Sequence, residues 1–235
     1  MNYAIIAAGE GSRLRKEGVS YPKPLVRLGG YPMIGRLIDI FVRCDAETIS
    51  VIVNEQMTEV REYLEQLAPT LPVKLNLVVK STPSSMHSFY EVSRVFEGGK
   101  FILTTVDTIF REDDFARYAK AFAEAGDVDG MMAVTTYIDD EKPLYIDVDE
   151  NMDITAFRDC PFDGVKYISG GIYGLDGKAL DVLGRCIDTG MSRMRNFQRA
   201  LVDAGLHLRA WPFGKIIDVD HQEDIAKAEL FISGK

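Results

Sequence analysis

The chain has 235 residues, 46% hydrophobic and 27% charged, which suits a soluble α/β protein with a sizeable buried core. Its formal charge is −9, from 27 basic and 36 acidic residues. That balance argues against a general nucleic-acid or anionic-membrane binder, because both need a basic field. It leaves room for a small anionic ligand held by a local group of cations and backbone N–H groups.

Tyr3–Ala7 is a short apolar run ending near Gly9 and Gly11, the pattern of a buried strand and a turn. It is too short and lacks the basic start of a signal peptide, and no stretch approaches the ~20 apolar residues of a membrane span. Met33, Leu37, Ile40 and Phe41 fall on one helical face. Strands are then expected at Ile49–Val53, Leu75–Val79 and Phe101–Val106. Helices are expected at Thr58–Leu67, Ser88–Phe96 and Asp113–Glu124. Strands alternating with helices imply βαβ units and a mainly parallel sheet. Ligands of such sheets bind beyond the carboxyl ends of the strands, which puts the Gly9–Gly11 turn and Asp107 on one rim.

After residue 130 the pattern changes. Strands are expected at Met131–Tyr137, Leu144–Val148, Ile154–Phe157 and Tyr167–Leu175, forming a small antiparallel lobe. Asp176–Ile187 and Arg195–Ala204 read as helices, His207–Trp211 and Ile216–Val219 as strands, and His221–Phe231 as a closing helix. The fold expected is therefore a three-layer, Rossmann-like α/β fold. Residues 1–235 would form a single domain, with about 1–130 serving as its nucleotide half and about 131–235 as its acceptor half. Cys44, Cys160 and Cys186 lack metal or redox spacing and are read as reduced thiols of a cytoplasmic protein.

The loop Ala7-Ala-Gly-Glu-Gly-Ser-Arg-Leu14, followed by Tyr21-Pro-Lys-Pro-Leu25, carries the chemistry. Glycines let a backbone approach phosphates, Arg13 suits phosphate oxygens, and the prolines stiffen the backbone around Lys23. No Gly-Lys-Ser/Thr follows, so it is not a Walker loop, and Leu14 breaks the dinucleotide fingerprint. Carboxylates for a magnesium ion stand where strands end. Asp107 follows an apolar run, and Asp218 and Asp220 flank Val219, so both would face one way along a strand. Asp220 is also a good helix N-cap, with Glu223 at the third helical position.

The AAGxGSRL…PKPL segment, with its spacing, resembles the signature of the nucleotidyltransferases that make sugar nucleotides and CDP-choline. The resemblance implies that Ala7, Ala8, Gly9, Gly11, Ser12 and Arg13 wrap the nucleotide phosphates. Arg13 would meet the departing pyrophosphate and Lys23 the acceptor's phosphate. Asp107, with Asp220 or Asp218, would hold magnesium, and Arg13, Lys23 and Asp107 form the catalytic set.

On the acceptor side the chain departs from the family pattern. Asp159-Cys160-Pro161 replaces Glu-Lys-Pro, so Asp159, Lys166 and Gly171 are the acceptor-binding candidates. Ser88 lies in a segment similar to one of phosphocholine cytidylyltransferases, where it would touch the base or ribose or cap the next helix. Five aromatics, Tyr145, Phe162, Tyr167, Tyr173 and Trp211, could box a quaternary ammonium or simply pack in the core. The implied partners are an NTP and a phosphorylated small molecule, a sugar 1-phosphate ahead of phosphocholine. A non-catalytic sensor of nucleotide sugars is the reading from another class. No nucleic-acid or membrane partner is expected, and the oligomeric state is left open, a homo-oligomer included.

Overall fold

The computed structural model describes residues 1–138 and 142–234. The first half runs β1 (Asn2–Ala7), α1 (Ser12–Lys16), the short hairpin β2 (Arg27–Leu28) and β3 (Tyr31–Pro32), α2 (Met33–Arg43), β4 (Thr48–Val53), α3 (Thr58–Leu67), β5 (Lys74–Val79), α4 (Ser85–Ser93), β6 (Phe101–Thr105), β7 (Thr108–Ile109) and α5 (Glu112–Glu124). The second half runs β8 (Gly130–Thr135), β9 (Tyr145–Val148), β10 (Ile154–Arg158), β11 (Tyr167–Leu175), α6 (Gly177–Asp188), α7 (Met194–Asp203), β12 (Leu208–Phe213), β13 (Ile217–Asp218) and α8 (Gln222–Ile232).

One mixed sheet of nine strands carries the order β10-β9-β11-β6-β1-β4-β5, with β8 on β11 and β12 on β8. The pairs β6/β1, β1/β4 and β4/β5 are parallel. β11 is antiparallel to β6 and to β8, so the antiparallel strands extend the same sheet. β1 explains the layering. Tyr3, Ile5 and Ala7 pack with α2, α3 and α5 on one face, while Ala4 and Ile6 pack with α4, α6 and α7 on the other. Two-faced burial is why this strand is apolar from Tyr3 to Ala7, and each large side chain so buried contributes about 1.5–3 kcal/mol.

A third, smaller core lies under the rim. Leu14 of α1, Val26 after the Pro-Lys-Pro turn, Ile109 of β7, Ile217 and Val219 around β13, and Ala228 of α8 pack together. Antiparallel pairing of β13 with β7 sets Ile217 against Ile109 and Asp218 against Thr108. These contacts tie the glycine loop, the lysine turn and both acid-bearing segments into one unit.

The expected elements recur with their ends moved by a few residues. α4 starts at Ser85 rather than Ser88. α1, the β2–β3 hairpin and β7 are too short to leave a periodic pattern. No helix among the described residues is long and apolar enough to cross a membrane.

Candidate active site

β1 ends at Ala7, and the chain turns through Ala8–Gly11 into α1. Gly11 has φ 59° and ψ 34°, the left-handed region that glycine enters at least cost. A Cβ there would lie 2.8 Å from the Cβ of Lys23. The glycine therefore lets the lysine turn pack directly on the loop.

Pro22 precedes a single 3-10 turn, Lys23–Leu25, which aims Lys23 inward, where its side chain is only 8% exposed. Its Nζ meets Asp107 Oδ2 at 2.5 Å and Asp220 Oδ1 at 2.6 Å. Arg13 Nη1 donates to the other oxygen of Asp220 at 2.6 Å. Desolvation opposes the charge on Lys23, but Asp107 and Asp220 outweigh it and raise its pKa. Burial likewise opposes ionisation of Asp107, and Lys23 outweighs it and holds that carboxyl below its usual range. The two acids reach the lysine from distant segments of the chain. Val106 N–H bonds the Ile6 carbonyl at 3.1 Å and continues the β6–β1 ladder, and Val219 N–H bonds the Asp107 carbonyl at 3.1 Å.

A cavity of about 470 Å³ opens over this group. Ala8, Gly9, Gly11, Ser12, Arg13, Lys23, Ser88, Asp107 and Asp220, all singled out from the sequence, line it. Ala7 does not. It is 1% exposed and belongs to the core beneath. Asn54, Thr82, Ser84 and Ser85 also line the cavity and were not anticipated. They stand after β5 or just beyond β4, so the rule about carboxyl ends of parallel strands could have found them. Ser88 does not cap α4. Ser84 is the N-cap residue, and Ser88 Oγ lies 2.6 Å from Thr82 Oγ1.

The N-cap expected at Asp220 falls on His221, and its partner is Asp224 rather than Glu223. The His221 N–H donates to Asp224 Oδ2 at 2.8 Å. The shift leaves the Asp220 carboxylate to Lys23 and Arg13. Asp218 lines the second cavity described below and, with Arg13 and Asp220, a smaller one of about 50 Å³.

This second cavity, about 280 Å³, shares Thr105 and Ser85 with the first. Gly171 lines it at φ 72°, where a Cβ would come within 2.9 Å of Thr108 Oγ1. The register of β11 against β8 shifts between Ser169 and Tyr173, so the paired glycines form the bulge. Asp159 does not line this cavity, and its carboxylate binds Arg195 and Arg199 instead. Lys166 is exposed and lines neither cavity. Lys142, Arg193 and Arg195 line the second one and were missed. The three arginines between 193 and 199 were the available signal.

Comparison with known proteins follows this geometry. The structure superposes on the inositol-1-phosphate CTP transferase from T. maritima with TM-score 0.79 at 19% identity, covering 98% of this chain and 97% of that one. It superposes on a putative glucose-1-phosphate thymidylyltransferase from Bacillus anthracis with TM-score 0.84 at 19% identity, covering 98% and 94%. These likenesses define the fold as that of the nucleotidyltransferases. Residues 3–158 match the model of the MobA-like NTP transferase domain, and the chain belongs to that family.

Among curated relatives, a mannose-1-phosphate guanyltransferase of Schizosaccharomyces pombe is 28% identical over 77% of this chain and 51% of its own length. A 2-aminoethylphosphonate cytidylyltransferase of Lancefieldella rimae is 30% identical over 48% of this chain and 45% of its own. The chain thus spans about half the length of these relatives.

Proposed function

We propose that this chain transfers a nucleotidyl group from an NTP to a phosphorylated small molecule, a sugar 1-phosphate above all, and releases pyrophosphate. The observation that carries this reading is the meeting of Lys23, Asp107 and Asp220 beside the glycine loop, at one side of a cavity that adjoins a second one. An acceptor phosphate oxygen attacks the α-phosphorus in line. A new P–O bond forms, the bond from the α-phosphorus to the bridging oxygen breaks, and pyrophosphate leaves with that electron pair. The attacking oxygen is already anionic, so no protein nucleophile is needed. The protein's part is positioning and charge neutralisation. Arg13 faces the departing phosphates, and Lys23 neutralises charge where the two substrates meet.

The donor set fits a magnesium ion. Asp107 and Asp220 present oxygens no more than about 5 Å apart around one ammonium, and magnesium commonly takes one or two carboxylates plus substrate phosphates and water. No group of three His, Cys, Asp or Glu side chains that could hold a metal ion forms among the described residues, so the proposed ion would take its remaining oxygens from substrate and water. When bound, the ion would neutralise phosphate charge, and Asp107 and Asp220 would hold it.

The phosphocholine-type alternative is disfavoured by the acceptor cavity. Of the five aromatics available for an ammonium box, only Tyr173 lines it, and that side chain is buried. The non-catalytic alternative is disfavoured because Arg13, Lys23 and Asp107 are all present and assembled.

The test is pyrophosphate release with magnesium, each NTP, and a panel of sugar 1-phosphates and phosphocholine. Release with a sugar 1-phosphate, abolished by EDTA, is expected. No release with any pair would overturn the reading.

A further inference from the structure

α1 meets the start of α8 through three consecutive residues, Asp220, His221 and Gln222. Arg13 Nη1 donates to Asp220 Oδ2 at 2.6 Å. One helical turn on, at the residue that closes α1, Glu17 Oε1 lies 2.6 Å from His221 Nδ1, and Glu17 Oε2 accepts the Gln222 N–H at 2.7 Å. An ionised carboxylate only accepts, so His221 Nδ1 carries the hydrogen of that bond. Residues four apart share a helical face, so Arg13 and Glu17 work side by side.

Glu17 stands at the wrong end of its own helix. A carboxylate is disfavoured beside a helix C-terminus, and the other charged side chains in the last turn of α1, Arg13, Arg15 and Lys16, are all basic. The position suits α8 instead. Gln222 is the first residue of that helix, and its N–H has no carbonyl partner within it. A residue that conflicts with its own element and satisfies another marks a tertiary role.

That role concerns spacing. α1 has five residues, too few to hold a helix alone. Leu14 anchors it in the small core, as Val219 and Ala228 anchor the other side. The Asp220 and His221 N–H groups both donate to Asp224 Oδ2, at 3.2 and 2.8 Å, which fixes the turn itself. At the rim, Arg13 and Glu17 set the distance from that turn to the glycine loop. In the proposed reaction Arg13 turns to the phosphates and Asp220 to the cation, so Glu17 remains as the tie.

Resting on the nucleotidyl-transfer reading, we propose that Glu17 is a positioning residue. By clasping His221 and Gln222 it holds Asp220 at the spacing from Arg13 and the glycine loop that binds magnesium pyrophosphate, the proposed leaving product. Glu17 acts through these residues and touches neither the ion nor the phosphates.

Calorimetric titration of the intact protein with pyrophosphate in the presence of magnesium tests this without requiring turnover. Glu17→Ala should weaken binding about tenfold or more, the scale of losing a residue that orients a metal ligand. Glu17→Gln should recover part of the loss, because its amide oxygen still accepts the Gln222 N–H. Gln222→Pro removes that donor alone, at the helix position proline favours. His221 is already extended, at φ −122° and ψ 161°, as a residue before proline is. This variant should therefore bind magnesium pyrophosphate severalfold more weakly with no fall in melting temperature, which a merely structural role would not produce. Circular dichroism confirms that each variant is folded.

No magnesium pyrophosphate binding by the wild type, or unchanged affinity in Glu17→Ala, would overturn the proposal. So would losses that follow the melting temperature across the three variants. Glu17-dependent pyrophosphate binding without pyrophosphate release from any NTP would instead sink the nucleotidyl-transfer reading and leave the clasp standing.

Discussion

The two cavities are built by different means. The cavity proposed for the nucleotide draws on the ends of parallel strands and on a loop whose parts lie within residues 8–23, joined by Asp107 and Asp220. The cavity proposed for the acceptor draws on the bulge of β11, the segment before β9 and the start of α7, brought together across the antiparallel half of the sheet. The first is a local motif closed by two acids, while the second exists only after distant segments have packed. A side built from a local motif is readable and chemically constrained. A side built from scattered segments is free to vary, and it is where this chain departs from the pattern it otherwise resembles.

The contrast can be broken most sharply at Asp107, which in the proposed reaction serves both substrates rather than either alone. Asp107→Ala should lower pyrophosphate release at least about 100-fold, whichever acceptor is supplied. A stopped assay at saturating substrates checks it, and wild-type turnover would remove Asp107 from the chemistry.

Lys23→Met comes next. It leaves Asp107 and Asp220 facing each other without their shared cation, and should cost about 1–3 kcal/mol of stability as well as activity. Its pH dependence carries the signature. The depressed pKa of Asp107 means the wild type gains stability above about pH 4, lost as pH falls through the lower folded value. The raised pKa of Lys23 means a gain present below about pH 10.5, lost as pH rises through the higher folded value. Urea melts across pH should show both limbs in the wild type and smaller ones in Lys23→Met, where Asp129, Asp153 and Asp159 still supply an acid limb. Identical profiles would mean that the ion pairs add nothing.

The smallest effect is expected at Gly171, on the acceptor side. Gly171→Ala meets Thr108 and an unfavourable φ, so about 1 kcal/mol of stability should be lost. KM for the acceptor should rise severalfold while KM for the NTP holds. An equal rise in both would show that the two cavities do not act separately.

Much of the nucleotide side is legible in the order of residues alone. The apolar runs of β1, β4 and β6 mark strands because a sheet covered on both faces needs them, and α3 and β11 fall on the expected residues. Gly11, Arg13 and Lys23 stand out because the AAGxGSRL…PKPL segment resembles a known signature, and Asp107 because it closes an apolar run. Asp159 stands out for a sound reason, its place in a departing motif, but its partner lies 36 residues on and no spacing rule joins them.

By itself, then, the sequence determined the alternation of elements, the glycine loop after the first strand and the acids at strand ends. These follow from local periodicity and from residue chemistry, neither of which needs a partner across the fold. Only the tertiary structure decided between Asp218 and Asp220 as the neighbour of Lys23, because the capping box starts one residue later, at His221, and the β13–β7 pairing fixes the register. It alone placed Arg193 and Arg195 at the wall of the second cavity. Their meeting with Gly171 and Lys142 depends on long-range packing, which a linear pattern does not encode.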